Sequence, residues 1–409
     1  MSMYSGINLP ATWPEPPRDI SVSSLRDIES CPRRWALSTA AYPELWQGVG
    51  YPPRPQRSSL MGSVVHRVLE TIVRHLAQAN CHSPSDPCAI AAIRDLGGFT
   101  SILRSCIDET VARQAENPRL RDIEDLRISL ERSMAKMRTD VQGLLRAVPL
   151  VPTYRSQGTL VHTSARRPIG PGTYAEIELR APALHWRGVV DLLVLGLEGE
   201  VEIRDFKTGV PSDDHEFQVK TYGVLWSADL ELNPSGALPT RLTISYPSGE
   251  ISVPVPAAQE AEVIKAELLE RAKAARELAK FRPPEARPGV DTCRRCDVRH
   301  LCSEYWQADT QRRLAREFNE SRPFSDLQVR VLSRRGPVTW DVTVEQSGRF
   351  ENDTHVVVLA PAGHHRFDDG AVLRILDARV VVAGPDNAED RQDVPVASLT
   401  SMSEVFVLS

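Results

Sequence analysis

The stretch "VEIRDFKTG", residues 201–209, places a carboxylate and an ammonium two positions apart near the end of a predicted strand. Because positions i and i+2 of a strand point to the same face, Asp205 and Lys207 are expected to project side by side. Two interpretations follow from these residue types. The pair forms a simple salt bridge, or it belongs to a site that binds a divalent cation and orients a nucleophile.

A second carboxylate, Asp191, is a lone charge in the apolar run Val189–Leu195 of the preceding predicted strand. An unpaired buried carboxylate is costly, so we expect Asp191 either to pair with a neighbour at the strand end or to face a cation. With Asp205 and Lys207 it forms the pattern D-x13-D-x-K on adjacent strands. Two carboxylates bind a hard cation, which lowers the pKa of a water, and a lysine orients that water. The pattern is that of a magnesium-dependent phosphodiesterase.

Two predicted helical segments supply further polar groups. In "GSVVHRVLE", His66 and Glu70 share one helical face, as in an ordinary surface pair. Gly62, four residues before His66, either allows close approach of a substrate or marks the helix start. In "QVKTY", Gln218 and Tyr222 lie one turn apart, where they could hydrogen-bond to or stack on a nucleic-acid strand.

Three cysteines crowd into "CRRCDVRHLC" as Cys293-x2-Cys296-x5-Cys302, a density typical of a metal site. The fourth ligand must come from elsewhere in the chain, and Cys31 in "ESCPRRW" is the candidate. Four thiolates hold zinc or an iron–sulfur cluster, and the spacing does not decide between them. The expected cytoplasmic location argues against structural disulfides. The remaining cysteines are therefore expected to be free thiols or small apolar residues: Cys81, Cys88 and Cys106.

The hydrophobic pattern predicts an α/β protein with a second, all-β unit. Residues 1–20 are Pro-rich and expected to be irregular. Residues 21–308 combine helices and strands, with a helical insert at about residues 80–150 and a first helix capped by Ser23 or Ser24. Residues 325–409 alternate as five strands and predict a small barrel, oligonucleotide-binding-like or SH3-like. Its strands are "LQVRVLS", "TWDVTVEQ", "THVVVLAP", "AVLRILDARVVVAG" and "SEVFVLS".

Composition sets limits on location and partners. The 409 residues have ordinary globular composition, with no apolar run near 18 residues and no signal-peptide pattern, so a cytoplasmic protein is expected. The barrel segment 325–409 carries 8 Arg, no Lys and 13 acidic residues, a net charge of −5, whereas the rest of the chain is balanced. One possible role of the barrel is to bind a single nucleic-acid strand, with bases stacked on Trp340, Phe350 or Phe367, but the negative charge opposes this role. The alternative is a protein-interaction or substrate-gating role.

The ordered set Gly62-x3-His66, Asp191, Asp205-x-Lys207 and Gln218-x3-Tyr222 resembles the RecB-like nuclease branch of the PD-(D/E)XK superfamily. The resemblance covers roughly residues 20–308 and implies a restriction-endonuclease-like mixed sheet flanked by helices. It implies metal ligation by His66, Asp191, Asp205 and the backbone carbonyl of Phe206, with Lys207 as the catalytic lysine. Gln218 and Tyr222 would line the DNA path, and Glu70 has no firm role. Mg²⁺ or Mn²⁺ would be the catalytic cation.

The arrangement of the cysteines resembles that of particular nuclease types within this superfamily. Nucleases of the CRISPR-associated exonuclease and AddAB types carry one Cys before the nuclease core and three after it, and bind a [4Fe–4S] cluster there. This resemblance implies a cluster rather than zinc at four positions: Cys31, Cys293, Cys296 and Cys302.

The expected function is metal-dependent hydrolysis of DNA in repair, processing or phage defence. The family acts mostly on single-stranded ends or flaps, which favours an exonuclease over a site-specific endonuclease. The alternatives are a catalytically silent DNA-binding or scaffold subunit, and the nuclease subunit of a larger machine. No G-x4-G-K-[ST] loop occurs in the sequence, so in the last case a separate helicase would supply ATP-driven unwinding. The sequence leaves the oligomeric state open.

Overall fold

The computed structural model describes most of the chain, namely residues 5–6, 9–46, 50–152, 166–317, 324–360, 366–381 and 394–408. The predicted strand "GTLVHT", residues 158–163, lies outside the described residues. Eleven α-helices occur in the described part of the chain: α1 Val22–Ser30, α2 Pro32–Thr39, α3 Arg57–Gln78, α4 Pro87–Asp95, α5 Gly98–Gln114, α6 Ile123–Arg132, α7 Met134–Leu145, α8 Asp213–Ala228, α9 Ala258–Leu278, α10 Val290–Arg294 and α11 Ala308–Glu317.

Two sheets are built from twelve described strands. Strands β2 to β6 form a five-stranded sheet: β2 Gly172–Ala181, β3 Trp186–Leu195, β4 Val201–Phe206, β5 Arg241–Tyr246 and β6 Gly249–Val253. The other sheet contains β1 Ser5–Gly6, β7 Phe324–Gly336, β8 Thr339–Ser347, β9 His355–Leu359, β10 Val372–Val381, β11 Val396–Ser398 and β12 Glu404–Leu408.

The five-stranded sheet is mixed, as predicted, and has the order β2-β3-β4-β5-β6. Only β4 and β5 run parallel, and α8 makes the crossover between them, as a parallel pair requires. Strands β3 and β4 are neighbours in the centre, with Leu192 opposite Arg204. This register brings Asp191 on β3 close to Asp205 and Phe206 on β4.

Helices cover both faces of this sheet, so its central strands are apolar along nearly their whole length. One core contains residues from α1, α8, α9 and the sheet, and Leu193 and Leu195 of β3 face it. The other contains residues from α3 to α7, and the alternate residues Leu192 and Val194 face that side together with Phe206. The predicted helical insert therefore builds the second layer and holds α3 against the sheet.

The first two helices join at Cys31. Helix α1 begins after Ser21, whose hydroxyl and that of Ser24 form a capping box, so the predicted cap at Ser23 or Ser24 was wrong by two or three residues. Helix α2 begins with Pro32, a residue that favours the first helical position because it lacks an N–H. The thiol of Cys31 accepts a hydrogen bond from the Arg34 N–H, which fixes this cysteine at the α1–α2 junction.

The C-terminal sheet closes into a five-stranded barrel in the order β7-β8-β9-β11-β10, with β10 pairing back to β7. The predicted barrel is therefore present, but one strand assignment was wrong. The fifth barrel strand is Val396–Ser398, which runs parallel to β9, whereas Glu404–Leu408 lies outside the closed ring on β10. The predicted irregular N-terminus also contributes Ser5–Gly6, paired parallel to β12.

Buried ion pairs attach the barrel to the rest of the chain. Arg119, which follows α5, makes a two-pronged contact with Glu404 of β12 at 2.9 and 2.7 Å. Arg299, between two of the clustered cysteines, contacts Asp326 of β7 at 2.7 Å and Asp377 of β10 at 3.0 Å. These groups lose hydration on burial, so each depends on its partner for stability.

The barrel aromatics do not form a stacking surface. Trp340 and Phe367 are buried against each other in the barrel core, and Phe350 packs against that core. Base stacking on Trp340 and Phe367, one of the two roles left open for the barrel, is therefore excluded, because a base needs an exposed ring face. Among the described helices, none is long and apolar enough to cross a membrane.

Candidate metal centre and cysteine site

Three side chains from three elements converge beside strands β2 and β3 of the five-stranded sheet. His66 comes from α3, Glu176 from β2 and Asp191 from β3, and one ligand atom from each lies within 4.8 Å of the others. All three are partly buried. An imidazole with two carboxylates is a donor set suited to a divalent first-row metal.

Asp191 holds this group together. Its Oδ1 lies 3.3 Å from His66 Nδ1, and its Oδ2 accepts a hydrogen bond from the Phe206 backbone N–H at 2.6 Å. The Phe206 ring packs edge-on against the His66 ring, with centroids 6.5 Å apart. Burial lowers the pKa of His66, but the hydrogen bond to Asp191 and its charge outweigh this effect, so the pKa is raised. Asp191 is therefore oriented from both sides, and its lone charge has partners.

Glu176 was missed in the sequence. It lies opposite Asp191 across the β2–β3 pair, between the partners Ala175–Leu192 and Ile177–Val190. Its backbone has φ = 52°, a left-handed conformation rarely adopted by glutamate. Burial and the charge of Asp191 raise its pKa to about 7. The only available signal was an acidic residue in the strand that pairs with the strand of Asp191, and that signal alone does not indicate a site.

Asp205 and Lys207 form the close pair expected from their spacing. Lys207 Nζ lies 2.6 Å from Asp205 Oδ2, and Asp205 is only 2% exposed. The contact is short but poorly directed, so this buried oxygen receives no well-formed hydrogen bond from the described residues. Burial and the charge of Asp191 raise the pKa of Asp205 to about 6, whereas Lys207 lowers it. An under-satisfied carboxylate oxygen beside Asp191 is a suitable ligand for a cation.

Gln218 and Tyr222 lie behind Lys207. Gln218 Oε1 accepts a hydrogen bond from Lys207 Nζ at 3.1 Å, and Gln218 Nε2 donates to the Tyr222 hydroxyl at 2.8 Å. Tyr222 is buried against Gly188, where a Cβ would come within 2.7 Å of the tyrosine ring. The buried ring has no face open for stacking on a base. The geometry instead makes this pair a support for Lys207.

The remaining motif residues have simpler surroundings. A Cβ on Gly62 would lie 3.2 Å from Thr208 Oγ1, so this glycine allows α3 to approach the segment just after β4. Glu70 forms an ion pair with Arg74 at 2.9 Å and lies in the same cleft as His66. The cleft has a volume of about 650 Å³. His66, Glu176 and Asp191 form part of its lining.

The four clustered cysteines come together although they are far apart in sequence. All of them line one cavity between the α1–α2 junction and the segment around α10: Cys31, Cys293, Cys296 and Cys302. Cys31 Sγ accepts hydrogen bonds from the backbone N–H groups of Arg34 and Arg287, both at 3.4 Å. Burial raises the pKa of Cys296 and of Cys302 to about 12. Buried thiols at this density, with N–H groups directed at sulfur, fit a metal-bound state.

The other cysteines correct the expectation of no disulfides. Cys81 and Cys88 are joined by a disulfide between the end of α3 and the start of α4, and only Cys106 is a buried free thiol of the helical insert. The sequence argument was wrong here because it used cell compartment alone and could not see that the turn brings the two residues together.

A comparison with protein-family models now bears on this site. The model of the PD-(D/E)XK nuclease superfamily matches residues 19–303, well over half of the chain. The chain belongs to the PD-(D/E)XK nuclease superfamily. The match covers every residue of the candidate metal centre and all four clustered cysteines, so both lie within the matched region. It does not extend into the barrel.

Other comparisons add little to this assignment. No curated protein matches the sequence. Among solved structures, the crystal structure of SSO0001 is similar at 17% identity and a TM-score of 0.21. That alignment covers 32% of this chain and 60% of the other, and a likeness this weak carries no argument about fold or activity.

The residues of this PD-(D/E)XK nuclease fit the cation that the superfamily usually uses. Carboxylates suit Mg²⁺ and Mn²⁺, and an imidazole suits the softer of the two, Mn²⁺. The oxygen of Asp205 that lacks a well-directed donor and the grouped atoms of His66, Glu176 and Asp191 meet the requirement for several oxygen ligands beside one nitrogen.

Proposed function

We propose that this PD-(D/E)XK nuclease hydrolyses phosphodiester bonds of DNA with Mg²⁺ or Mn²⁺ at the centre formed by His66, Asp191 and Asp205. The Phe206 backbone carbonyl and Glu176 complete the proposed ligand set. The observation that carries the proposal is the Asp205–Lys207 pair placed next to the His66–Glu176–Asp191 group. A salt bridge alone would not explain why two further acidic groups and an imidazole gather beside it.

Each residue of the chain has a distinct task in this proposal. A bound cation would supply a more acidic water and offset charge on the attacked phosphate. Asp191 orients His66, and the Phe206 N–H orients Asp191. An ammonium has three N–H donors. One of those of Lys207 is directed to Gln218, and the ammonium lies 2.6 Å from Asp205, which leaves a donor for the attacking water or a phosphate oxygen.

Gln218 and Tyr222 are proposed to position Lys207. Lys207 donates to Gln218 and Gln218 donates to Tyr222, so the two hydrogen bonds form one chain that fixes the position of the lysine amine. Gln218 is part-buried and remains a candidate for contact with the DNA strand.

At the cysteine site we propose a [4Fe–4S] cluster, with zinc as the less favoured occupant. The four thiols and the two N–H groups at Cys31 support a metal-bound cysteine site, and the resemblance to nucleases with one cysteine before the core and three after it favours the cluster. The cluster would act as a staple. It would close a chain segment of 262 residues (293 − 31), which contributes about 5 kcal/mol by chain-entropy estimates for cross-links.

The preferred substrate is proposed to be single-stranded DNA or DNA with free ends, cleaved as an exonuclease in repair, processing or phage defence. A separate helicase would unwind duplex substrates. The barrel is proposed to be of the oligonucleotide-binding type, because its ring order and its one parallel pair, β9 with β11, match that topology. The silent-scaffold alternative is disfavoured because Lys207 and the ligand candidates are all present and grouped.

The test uses anaerobically purified protein and DNA labelled at one end, single-stranded or double-stranded, with Mn²⁺, Mg²⁺ or chelator. The expected result is progressive shortening of the single strand from an end in Mn²⁺ and none in chelator. The Lys207→Ala protein serves as the control for contaminating nuclease. Equal cleavage by wild type and Lys207→Ala, or no cleavage of any DNA with either metal, would contradict the proposal.

A further inference from the structure

One wall of the cleft beside the metal centre is built by the helical insert. Thr110, Arg113 and Gln114 of α5 line it at positions i, i+3 and i+4, and therefore form one continuous face of that helix. Next to them, α3 contributes Arg67, the residue directly after His66. Two neighbouring arginines thus line the same cavity as the candidate metal ligands.

Both arginines are attached to a single carboxylate. Arg67 Nη1 lies 3.0 Å from Glu109 Oε2, and Arg113 Nη2 lies 3.6 Å from the same oxygen. One negative charge is therefore shared by two positive charges, which leaves a net positive charge at this wall. The side chains of Arg67, Glu109 and Arg113 are 36, 50 and 54% exposed. Ion pairs this exposed contribute little to stability, so a stronger anion can replace Glu109.

A phosphate is such an anion. Guanidinium groups bind phosphate oxygens through two parallel hydrogen bonds, which are stronger than hydrogen bonds between neutral groups. The floor of the cleft is acidic, with Glu70, Glu176 and Asp191, so a nucleic-acid strand needs positive groups elsewhere in order to enter. The Arg67–Arg113 wall supplies them beside the metal centre.

We propose that Arg67 and Arg113 bind a backbone phosphate next to the one that is cleaved, and that this phosphate displaces Glu109. The inference rests on the proposed function, because it assumes that a nucleic-acid strand occupies the cleft. It assigns the helical insert a direct part in substrate binding in addition to its packing role.

The test measures binding without cleavage, in the full-length Lys207→Ala protein with Mg²⁺. A fluorescein-labelled single-stranded oligonucleotide is titrated, and its anisotropy gives the Kd at several salt concentrations of about 50 to 200 mM. The added substitutions are Arg67→Gln, Arg113→Gln and Glu109→Gln. The matched control is Arg104→Gln, because Arg104 is exposed on the opposite side of the same helix α5.

Arg67→Gln and Arg113→Gln are each expected to raise the Kd about fivefold and to reduce the salt slope by about 0.7. Glu109→Gln is expected to lower the Kd, because it removes the competing carboxylate, an effect that a purely structural role would not produce. Arg104→Gln should have the same Kd and salt slope as its parent, the Lys207→Ala protein. Unchanged Kd and slope for both cleft arginines, or weaker binding by Glu109→Gln, would overturn the inference while the proposed function stands. A parent protein that binds no DNA would overturn the proposed substrate and this inference together.

Discussion

Lys207 Nζ lies 2.6 Å from Asp205 Oδ2, and this pair stands beside three further candidate metal ligands, His66, Glu176 and Asp191. Because the lysine is expected to act on the attacking water and the phosphate, Lys207→Ala should reduce single-turnover cleavage by about 10²- to 10³-fold. Mn²⁺ affinity should stay near the wild-type value, since the candidate ligands remain. Lys220→Ala, which removes a lysine paired with Glu216 on α8, is the matched control and should cleave normally.

The chain from Lys207 to Gln218 to Tyr222 predicts a positioning effect. Gln218→Ala removes the amide oxygen that accepts a hydrogen bond from the lysine amine, so kcat should fall about tenfold. Tyr222→Phe removes only the outer hydrogen bond and should have a smaller effect in the same direction. Steady-state kinetics with DNA ends as substrate distinguishes positioning of Lys207 from a direct contact with DNA. A rise in KM with unchanged kcat for Gln218→Ala would indicate a DNA contact instead.

The cysteine site predicts a loss of stability without loss of a chemical step. If the proposed cluster is bound there, Cys296→Ala should release iron, lower the Tm and weaken DNA binding, because the proposed staple between the α1–α2 junction and the segment of α10 is lost. Cys106→Ala, which removes a buried thiol of the helical insert, should keep its iron. Iron content, the absorption spectrum of the cluster and thermal unfolding are measured on anaerobic samples. A Cys296→Ala protein with unchanged iron and Tm would exclude the staple.

The pair between Arg119 and Glu404 predicts how stability depends on pH. Burial raises the pKa of Glu404, but the hydrogen bonds and charge of Arg119 and the charges of Arg54 and Arg299 outweigh it and hold the pKa below the ordinary 4.5. Because the pKa of Glu404 is lowered in the folded state, the Arg119–Glu404 pair contributes fully to the free energy of unfolding above about pH 4.5. This contribution is lost as the pH falls through the folded-state pKa. The barrel attachment should therefore weaken in acid.

Glu404→Gln tests this dependence. At pH 7 it should reduce the free energy of unfolding by about 3 kcal/mol, because it leaves the nearly buried Arg119 without its charged partner. The difference from wild type should shrink below pH 4.5 in urea titrations followed by tryptophan fluorescence. Glu351→Gln, at an exposed position in the barrel domain, is the control. A difference that is constant from pH 7 to pH 3 would show that the charge of Glu404 is not responsible.

The sequence pattern was sufficient where chemistry depends on residues of one strand or one helix face. Asp205 and Lys207 are neighbours because alternate strand residues share a face, and His66 could be placed because its helix was strongly periodic. The superfamily and the mixed sheet were predicted from the same motifs, and the family match confirms the superfamily.

The residues that were missed depend on relationships between elements. Glu176 reaches the site through the β2–β3 register and an unusual backbone conformation, neither of which composition reveals. The strand Val396–Ser398 has only three residues, too few for a period to be recognised. The disulfide Cys81–Cys88 depends on how a turn between two helices is folded.

Mn²⁺ binding measured by titration calorimetry, together with cleavage of the same samples, tests the central proposal most directly. Wild type is expected to bind Mn²⁺ and to cleave DNA in proportion to the bound metal. Asp191→Asn should lose both, and Glu176→Gln should bind about tenfold more weakly. Glu178→Gln, on the same strand and paired with Arg180, should match wild type. Wild-type Mn²⁺ affinity and cleavage in Asp191→Asn would show that this centre is not the site of the nuclease reaction.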